Sequence, residues 1–447
     1  MIVYAQYRGM ILRLSSPAAR VFFVLLALVL AACLSYSGIR NVLAVRDAGL
    51  NTLAGYERAT QLEPNNASNW YLLGRYSQYN LEDPDVQRAI RAYQTALSFD
   101  PRSADTWLDL GTAYEAEGDL TAARNAFVQA KRVYPLSPEV SWRYGNFLLR
   151  RGDLDLAFAQ IRHAVEADPK RAPAAFALRM RFEPDAKSVA DRVNSSLNRV
   201  VPDSQAAYLG VISALSEQEK PDQALAVWSR LAALHPQIQL SDSYPLLELL
   251  LHKRLISDAQ RVWGQALEFA GISRPSGPPG SVVWDGGFGS NVIGGGFTWR
   301  YSPFIGGVVI NIDTKEKHSG NRSLRLTFNG LSNVNFNDVC QFVPVQPSTA
   351  YRFSAWVMTR SLSTDQGVRF ALHSIGDSSS TVAWTEDVEG TQPWTEVELP
   401  WTSGSDIREL QICVSRMPSA KFDSKIRGSA WIDDVALVPE SAEPSKR

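Results

Sequence analysis

The feature that most limits what this chain can fold into is a recurrence of proline. Pro64, Pro101, Pro135, Pro169, Pro202 and Pro236 follow one another at spacings of 37, 34, 34, 33 and 34 residues. Proline lacks a backbone N–H and clashes with the turn before it, so each marks the end of a helix. The stretch Ala104–Pro135 shows what lies between two of them. Trp107, Leu110 and Tyr114 fall at i, i+3 and i+7, one apolar stripe of a first helix. Gly118-Asp119 breaks it. Ala123, Phe127 and Ala130 form the stripe of a second helix, which Pro135 closes. The small residues Gly111 and Ala123 let the two helices approach, and the large ones fill the gap.

The unit repeats in phase. Its second helix opens on Ala89, Ala123, Ala157, Ala190, Ala224 and Ala259, and its wedge position reads Tyr93, Phe127, Ile161, Asn194, Trp228 and Trp263. Trp107, Leu110, Gly111, Tyr114, Ala123, Phe127, Ala130 and Pro135 closely resemble the signature of the tetratricopeptide repeat. The resemblance implies a solenoid of helix pairs, none able to bury its apolar face alone, stacked around a concave groove that takes a protein partner. The fourth unit is degenerate, with Pro184 interrupting it and polar Asn194 at the wedge. The sixth ends near Phe269 without a proline.

Before the repeats, Arg8, Arg13 and Arg20 precede Val21 to Ile39, 19 residues without a charge. That is long enough to cross a bilayer as a helix, and the basic flank places the N-terminus inside. Three readings fit: an uncleaved anchor, a lipoprotein signal in which Leu30-Ala31-Ala32-Cys33 resembles a lipobox and Cys33 is lipidated, or a cleaved signal peptide. The anchor has support from Thr52, Tyr56, Ala59 and Pro64, which sit as the second helix of a repeat and make the membrane segment the first. All three put the body of the protein outside the cytoplasm.

After Ser273-Arg-Pro-Ser-Gly-Pro-Pro-Gly280 the period changes to two. Nine short alternating runs, from VVINID to SAWIDDVALV, argue an antiparallel sandwich. The organisation expected is therefore a tail and membrane segment over 1–40, an α-solenoid over 41–270, a linker over 271–280, a β-sandwich over 281–439 and a tail over 440–447. The pieces WDGGF, HSGNRSLRLTF, CQFVPVQPSTAYRFSAWV, QPWTEVELP and AWIDDVALVP resemble, in order and spacing, carbohydrate-binding modules of the galactose-binding-like jelly-roll type. FTWRY at 297–301 is similar to a segment of bacterial repeat proteins from exopolysaccharide gene neighbourhoods.

The resemblance implies sugar rings stacked on exposed aromatics and fixed by polar side chains. Trp299, Tyr301, Trp384, Trp394 and Trp401 are the candidates. In PWTEVELPW, Trp394 shares a face with Glu396 and Glu398, whereas Trp401 shares the other with Thr395, Val397 and Leu399, so Trp394 is the best placed. The resemblance also implies a structural calcium ion with Asp433 among its ligands. The acid expected after the opening GGF is Gly289 here, which removes a hard oxygen donor. Cys340 and Cys413 lie in different strands and either pair, outside the cytoplasm, or stay as buried thiols.

The 447 residues carry 45% hydrophobic and 20% charged residues and a net charge of −1, a balance that draws the chain to no nucleic acid. No Walker loop, Gly-x-Ser-x-Gly, His-Glu-x-x-His or Cys-x-x-Cys occurs. Gly376-Asp-Ser378 resembles the nucleophile block of GDSL hydrolases, but no histidine follows His373 to serve as base. Asn66, Asn194 and Asn321 begin sequons. The expected function is a non-enzymatic scaffold on the outer side of a bacterial cytoplasmic membrane, its groove on a protein and its sandwich on a glycan, in polysaccharide synthesis or export. A carbohydrate-active enzyme or its accessory subunit, and an assembly factor binding no sugar, are the alternatives.

Overall fold

A computed structural model describes residues 17–182, 188–275, 277–291, 293–375 and 380–440. The order is an apolar helix, a helical array and an all-β region in antiparallel sheets. Pro184 and Gly376-Asp-Ser378 lie outside the described residues.

The first compact unit ends at Arg171. Helix α1, Pro17–Ala48, is unbroken and has the length and apolarity to cross a membrane. From Val21 to Ile39 it is exposed on all sides, yet Ala44 and Asp47 near its end are buried. They are buried because α2, Leu53–Leu62, packs there as the second helix of a repeat. Gly55 allows this approach: a Cβ there would stand 2.3 Å from the Asp47 carbonyl. Arg40, the first charge after the apolar run, donates to the Leu62 carbonyl at the end of α2, where the helix presents unpaired carbonyls. One helix thus serves as apolar segment and as first helix of the array.

Three helix pairs follow: α3 and α4 (Ala67–Tyr79, Val86–Phe99), α5 and α6 (Ala104–Glu117, Leu120–Val133), and α7 and α8 (Pro138–Arg150, Leu154–Ala167). Ser103, Asp119 and Ser137 cap their helices by accepting from the N–H three residues on. The glycine and wedge of each pair meet. A Cβ on Gly74 would lie 2.6 Å from the Tyr93 ring, on Gly111 3.0 Å from Phe127, and on Gly145 2.9 Å from Ile161.

The second unit holds all remaining described residues. Its helices are α9 Ala172–Met180, α10 Val189–Val200, α11 Gln205–Glu217, α12 Pro221–Ala232, α13 Tyr244–His252 and α14 Ile256–Phe269. Its strands are β1 Phe304–Ile305, β2 Val308–Asp313, β3 Ser323–Asn329, β4 Phe336–Pro344, β5 Ala350–Arg360, β6 Arg369–Ile375, β7 Ser380–Trp384, β8 Gln392–Thr402, β9 Glu409–Arg416 and β10 Arg427–Pro439. They form a sheet ordered β1-β2-β3-β10-β5-β8 and a second ordered β4-β9-β6-β7, with every strand pair antiparallel. The core between them is built from alternate residues such as Phe353, Phe370, Ile412 and Leu437.

The helices before 271–280 and the strands after it fall in the same compact unit and touch. The Trp263 ring, read from sequence as a wedge within its own repeat, stands edge-on to Trp284 at 5.3 Å and to Phe297 at 6.0 Å. The Arg300 guanidinium grips the Glu248 carboxylate of α13 with two bonds of 2.7 Å, the strong fork geometry of this pair. Glycines make the approach possible: a Cβ on Gly295 would stand 2.3 Å from the Tyr244 ring. The last helices and the sandwich therefore share one packed boundary.

Candidate glycan-binding site

The outer face of the six-stranded sheet carries a cluster of aromatic rings. Along β5, Phe353, Ala355 and Val357 point into the core, so Ser354 and Trp356 point out. Trp356 lies opposite Glu396 of β8, and Ser354 opposite Glu398. Half-buried Trp394 is two residues before Glu396 on the same strand. The His318 ring joins the two indoles: it stacks on Trp356 at 3.9 Å and 11°, and stands 5.7 Å from Trp394 at 61°.

His318 comes from a loop that the middle of β10 holds in place. Asp433 is fully buried, and its carboxylate accepts from the N–H of His318 (2.8 Å), Ser319 (3.0 Å) and Asp434 (2.8 Å). Burial pushes its pKa up to about 6, against the pull of those N–H groups. Asp434 pairs with His318 Nδ1 at 2.8 Å and accepts from Ser319 Oγ at 2.7 Å. Beside the rings lies a groove of about 790 Å³, lined by Trp356, Glu396, Ser319, Asn321, Ser290 and Asp434. Flat rings beside carboxylates, hydroxyls and an amide suit a ligand with apolar faces and a rim of hydroxyl groups.

The residues at Asp433 do not fit a calcium ion. Three N–H donors point at its oxygens, where a cation would need further oxygen donors. Among the described residues no group of three or more His, Cys, Asp or Glu is placed to hold a metal. The other acid of this corner, Asp285, accepts from Gly289 N and from Ser290 N and Oγ.

Trp384 lies on the other outer face, at the edge of the four-stranded sheet. It is 37% exposed and edge-on to His373 at 6.3 Å. Gln411 separates His373 from Phe342 in the neighbouring row. The far end of that row is occupied, because Arg300, held by Glu248, lies 4.8 Å from the Phe342 ring centroid. Glu409 also lies on this side and is 4% exposed. Burial pushes it up to about 7, although Arg300 and Arg254 pull the other way. Cys340 and Cys413 stand directly opposite on β4 and β9 and are joined in a disulfide; Cys33, on α1, is exposed and unpaired.

Trp299, Tyr301 and Trp401 lie apart from this cluster. Trp299 is 1% exposed, its indole donating to the Asp285 carbonyl at 3.0 Å and stacking on Phe288. It is core, packed among the buried residues between the sheets. Tyr301 and Trp401 are half-buried against that core, Trp401 tilted on Tyr351 at 5.7 Å. Sequence reasoning passed over Trp356 and His318. Alternation in YRFSAWV does put Trp356 on the polar face with Arg352 and Ser354. Nothing near His318 in sequence signals its place, since the carboxylates that hold it are more than 100 residues away.

Comparison with known proteins agrees with this architecture. Residues 280–421 match the carbohydrate binding domain family, and residues 77–130 and 108–172 match the tetratricopeptide repeat. The chain carries tetratricopeptide repeats and a C-terminal carbohydrate-binding domain. Protein bimA of Emericella nidulans is 34% identical over 80 residues, which are 18% of this chain and 10% of bimA. The match therefore spans about a tenth of that relative's length. The structure of YrrB, described as a TPR protein with an unusual peptide-binding site, shares 15% identity over 49% of this chain and 94% of its own, with a TM-score of 0.25. The CBM22-1 xylan-binding domain of Paenibacillus barcinonensis Xyn10C shares 15% over 37% of this chain and 97% of its own, with a TM-score of 0.26. Neither matched domain type is catalytic.

Proposed function

We propose that this protein is a non-enzymatic scaffold, tethered by α1 to a bacterial cytoplasmic membrane with its body on the outer side. The repeats take a protein partner and the sandwich takes a glycan. Cell-surface polysaccharide synthesis or export is the process that fits both. The observation that carries the glycan reading is the Trp356–His318–Trp394 cluster beside a groove rimmed by Glu396 and Asp434. The basic residues before α1 and the Cys340–Cys413 bond support an extracytoplasmic body. Lipidation at Cys33 is the alternative tether.

A second reading places the sugar on the four-stranded sheet, favoured by the exposure of Trp384 beside His373. A glycan array probed with detergent-solubilised full-length protein separates the two. The groove reading predicts that Trp394→Ala abolishes glycan capture while Trp384→Ala retains it. The reverse pattern would move the site to the other sheet. No capture by any variant, or hydrolysis of a captured glycan, would contradict the proposal.

A further inference from the structure

Three loops meet at one end of the sandwich and hold large apolar side chains out in solvent. The β9–β10 loop reads Ser-Ala-Lys-Phe-Asp-Ser-Lys-Ile-Arg from 419 to 427. Its feet are fixed: Ile426 is buried in the core, and the Ser419 backbone exchanges hydrogen bonds of 2.8 and 2.9 Å with the Asn333 side chain. Its tip, Phe422, is fully exposed. The β3–β4 loop runs beside it. Gly330 donates to the Ile426 carbonyl at 2.9 Å and Ile426 to the Ser332 carbonyl at 3.2 Å, which leaves Leu331 between them 73% exposed. The β1–β2 turn joins through Asn329, whose N–H donates to the Gly307 carbonyl at 3.3 Å. Phe304 and Val309 lie opposite each other across that hairpin, 64% and 45% exposed.

Scattered exposed apolar residues are ordinary, but four on three mutually bonded loops form a patch. Charges frame its tip. Lys421 and Lys425 flank Phe422 and Arg427 follows, while Asp423 lies between them and Asp365 pairs with Lys421 at 3.2 Å. Glu386 and Glu389 lie on the neighbouring 385–391 loop, whose Gly390 carbonyl accepts from Leu362 N. Three cations against four carboxylates leave no strong field, so the attraction of this end is apolar.

Size and shape select the occupant. The side chains project from loop tips rather than line a groove, and together they offer on the order of 500 Å² of apolar surface. Each side of a stable protein interface gives about 800 Å². A bilayer interface takes separate apolar side chains without a matching pocket, and lets neighbouring lysines reach its phosphates. A chain anchored by α1 also meets bilayer at high effective concentration, so a contact too weak to hold alone suffices.

We propose that this end of the sandwich is a second membrane contact, with Phe422, Leu331 and Phe304 inserted at the boundary between headgroups and acyl chains of a phospholipid bilayer. The inference rests on the reading that α1 spans a membrane, and it adds that the sandwich docks on one.

The test uses full-length protein reconstituted into phosphatidylcholine vesicles. Cys33→Ser removes the free thiol, and Ser424→Cys carries a polarity-sensitive nitrobenzoxadiazole label beside the tip. Lipids with doxyl groups on their acyl chains serve as quenchers. The inference predicts blue-shifted emission, quenched by the doxyl lipids and little changed by added salt. Phe422→Asp with Leu331→Asp should abolish both signals and leave the melting temperature unchanged, because both positions face solvent. The same label at Ser348→Cys, in the β4–β5 turn at the opposite end of the strands, should show neither signal. An unquenched label at 424, in protein that still floats with the vesicles, would overturn the inference and leave the anchor standing. A blue shift without quenching, lost as protein per vesicle is lowered, would assign the tips to a second copy and overturn it too. Protein that washes off the vesicles in carbonate would remove the anchor reading, and the inference with it.

Discussion

The α3–α8 repeats and the β-sandwich bury aromatic residues by different rules. In the repeats, each wedge meets a partner named by the period. Tyr93 faces Gly74, Phe127 faces Gly111 and Ile161 faces Gly145, always one helix away. In the sandwich, the fate of a tryptophan depends on how loops and strand register fold the chain back, at separations that follow no period. Trp299 is closed over by the chain near Asp285, and Trp356 is roofed by a histidine held from β10. Local packing can be read from spacing; packing set by loop closure and register cannot.

The largest expected effect breaks the comparison at its sharpest point. Trp299→Ala removes a buried indole and its hydrogen bond, and should cost about 3–5 kcal/mol of stability, measured by chemical denaturation of the solubilised protein. Trp394→Ala, on the solvent face, should change stability little. Equal losses would mean that the two faces are not distinguished as described.

A smaller effect tests the repeats. Gly74→Ala drives a Cβ into the fully buried Tyr93 ring and should cost about 1–3 kcal/mol. Gly210→Ala meets only Pro173, at an ordinary 3.6 Å, and should be neutral or slightly stabilising, because alanine favours a helix interior. Thermal melts of the two variants decide the point.

The smallest concerns Glu409, on the side of the sandwich near Arg300 and Arg254. Its folded pKa of about 7 lies above its ordinary 4.5. The folded state therefore holds more protons between those values, and stability falls as pH rises from 4.5 to 7. Glu409→Gln should remove that slope. It should raise the melting temperature at pH 8 by about 2–4 °C and leave it nearly unchanged at pH 4. An unaltered pH profile would show that this burial is not felt.

The sequence displayed the solenoid well because 34-residue spacing constrains helix length, turn and contact together. It displayed the sandwich less fully. Nine alternating runs account for the strands other than the two-residue β1, but alternation along β8 could place Trp394 outside without revealing His318. The stretch 271–280 did not reveal the contacts made across it. Proline and glycine there mark a change of secondary structure, yet Trp263 and Glu248 tie the last helices to Trp284 and Arg300. Composition reports what a segment forms, and contacts across it decide whether it separates bodies.

The most direct test of the glycan-binding claim is calorimetric titration of an oligosaccharide, selected by the array, into full-length wild type, Trp394→Ala and Trp356→Ala. The account predicts saturable binding by wild type, and loss of binding in both variants with the fold retained. Undiminished binding in both variants would contradict it.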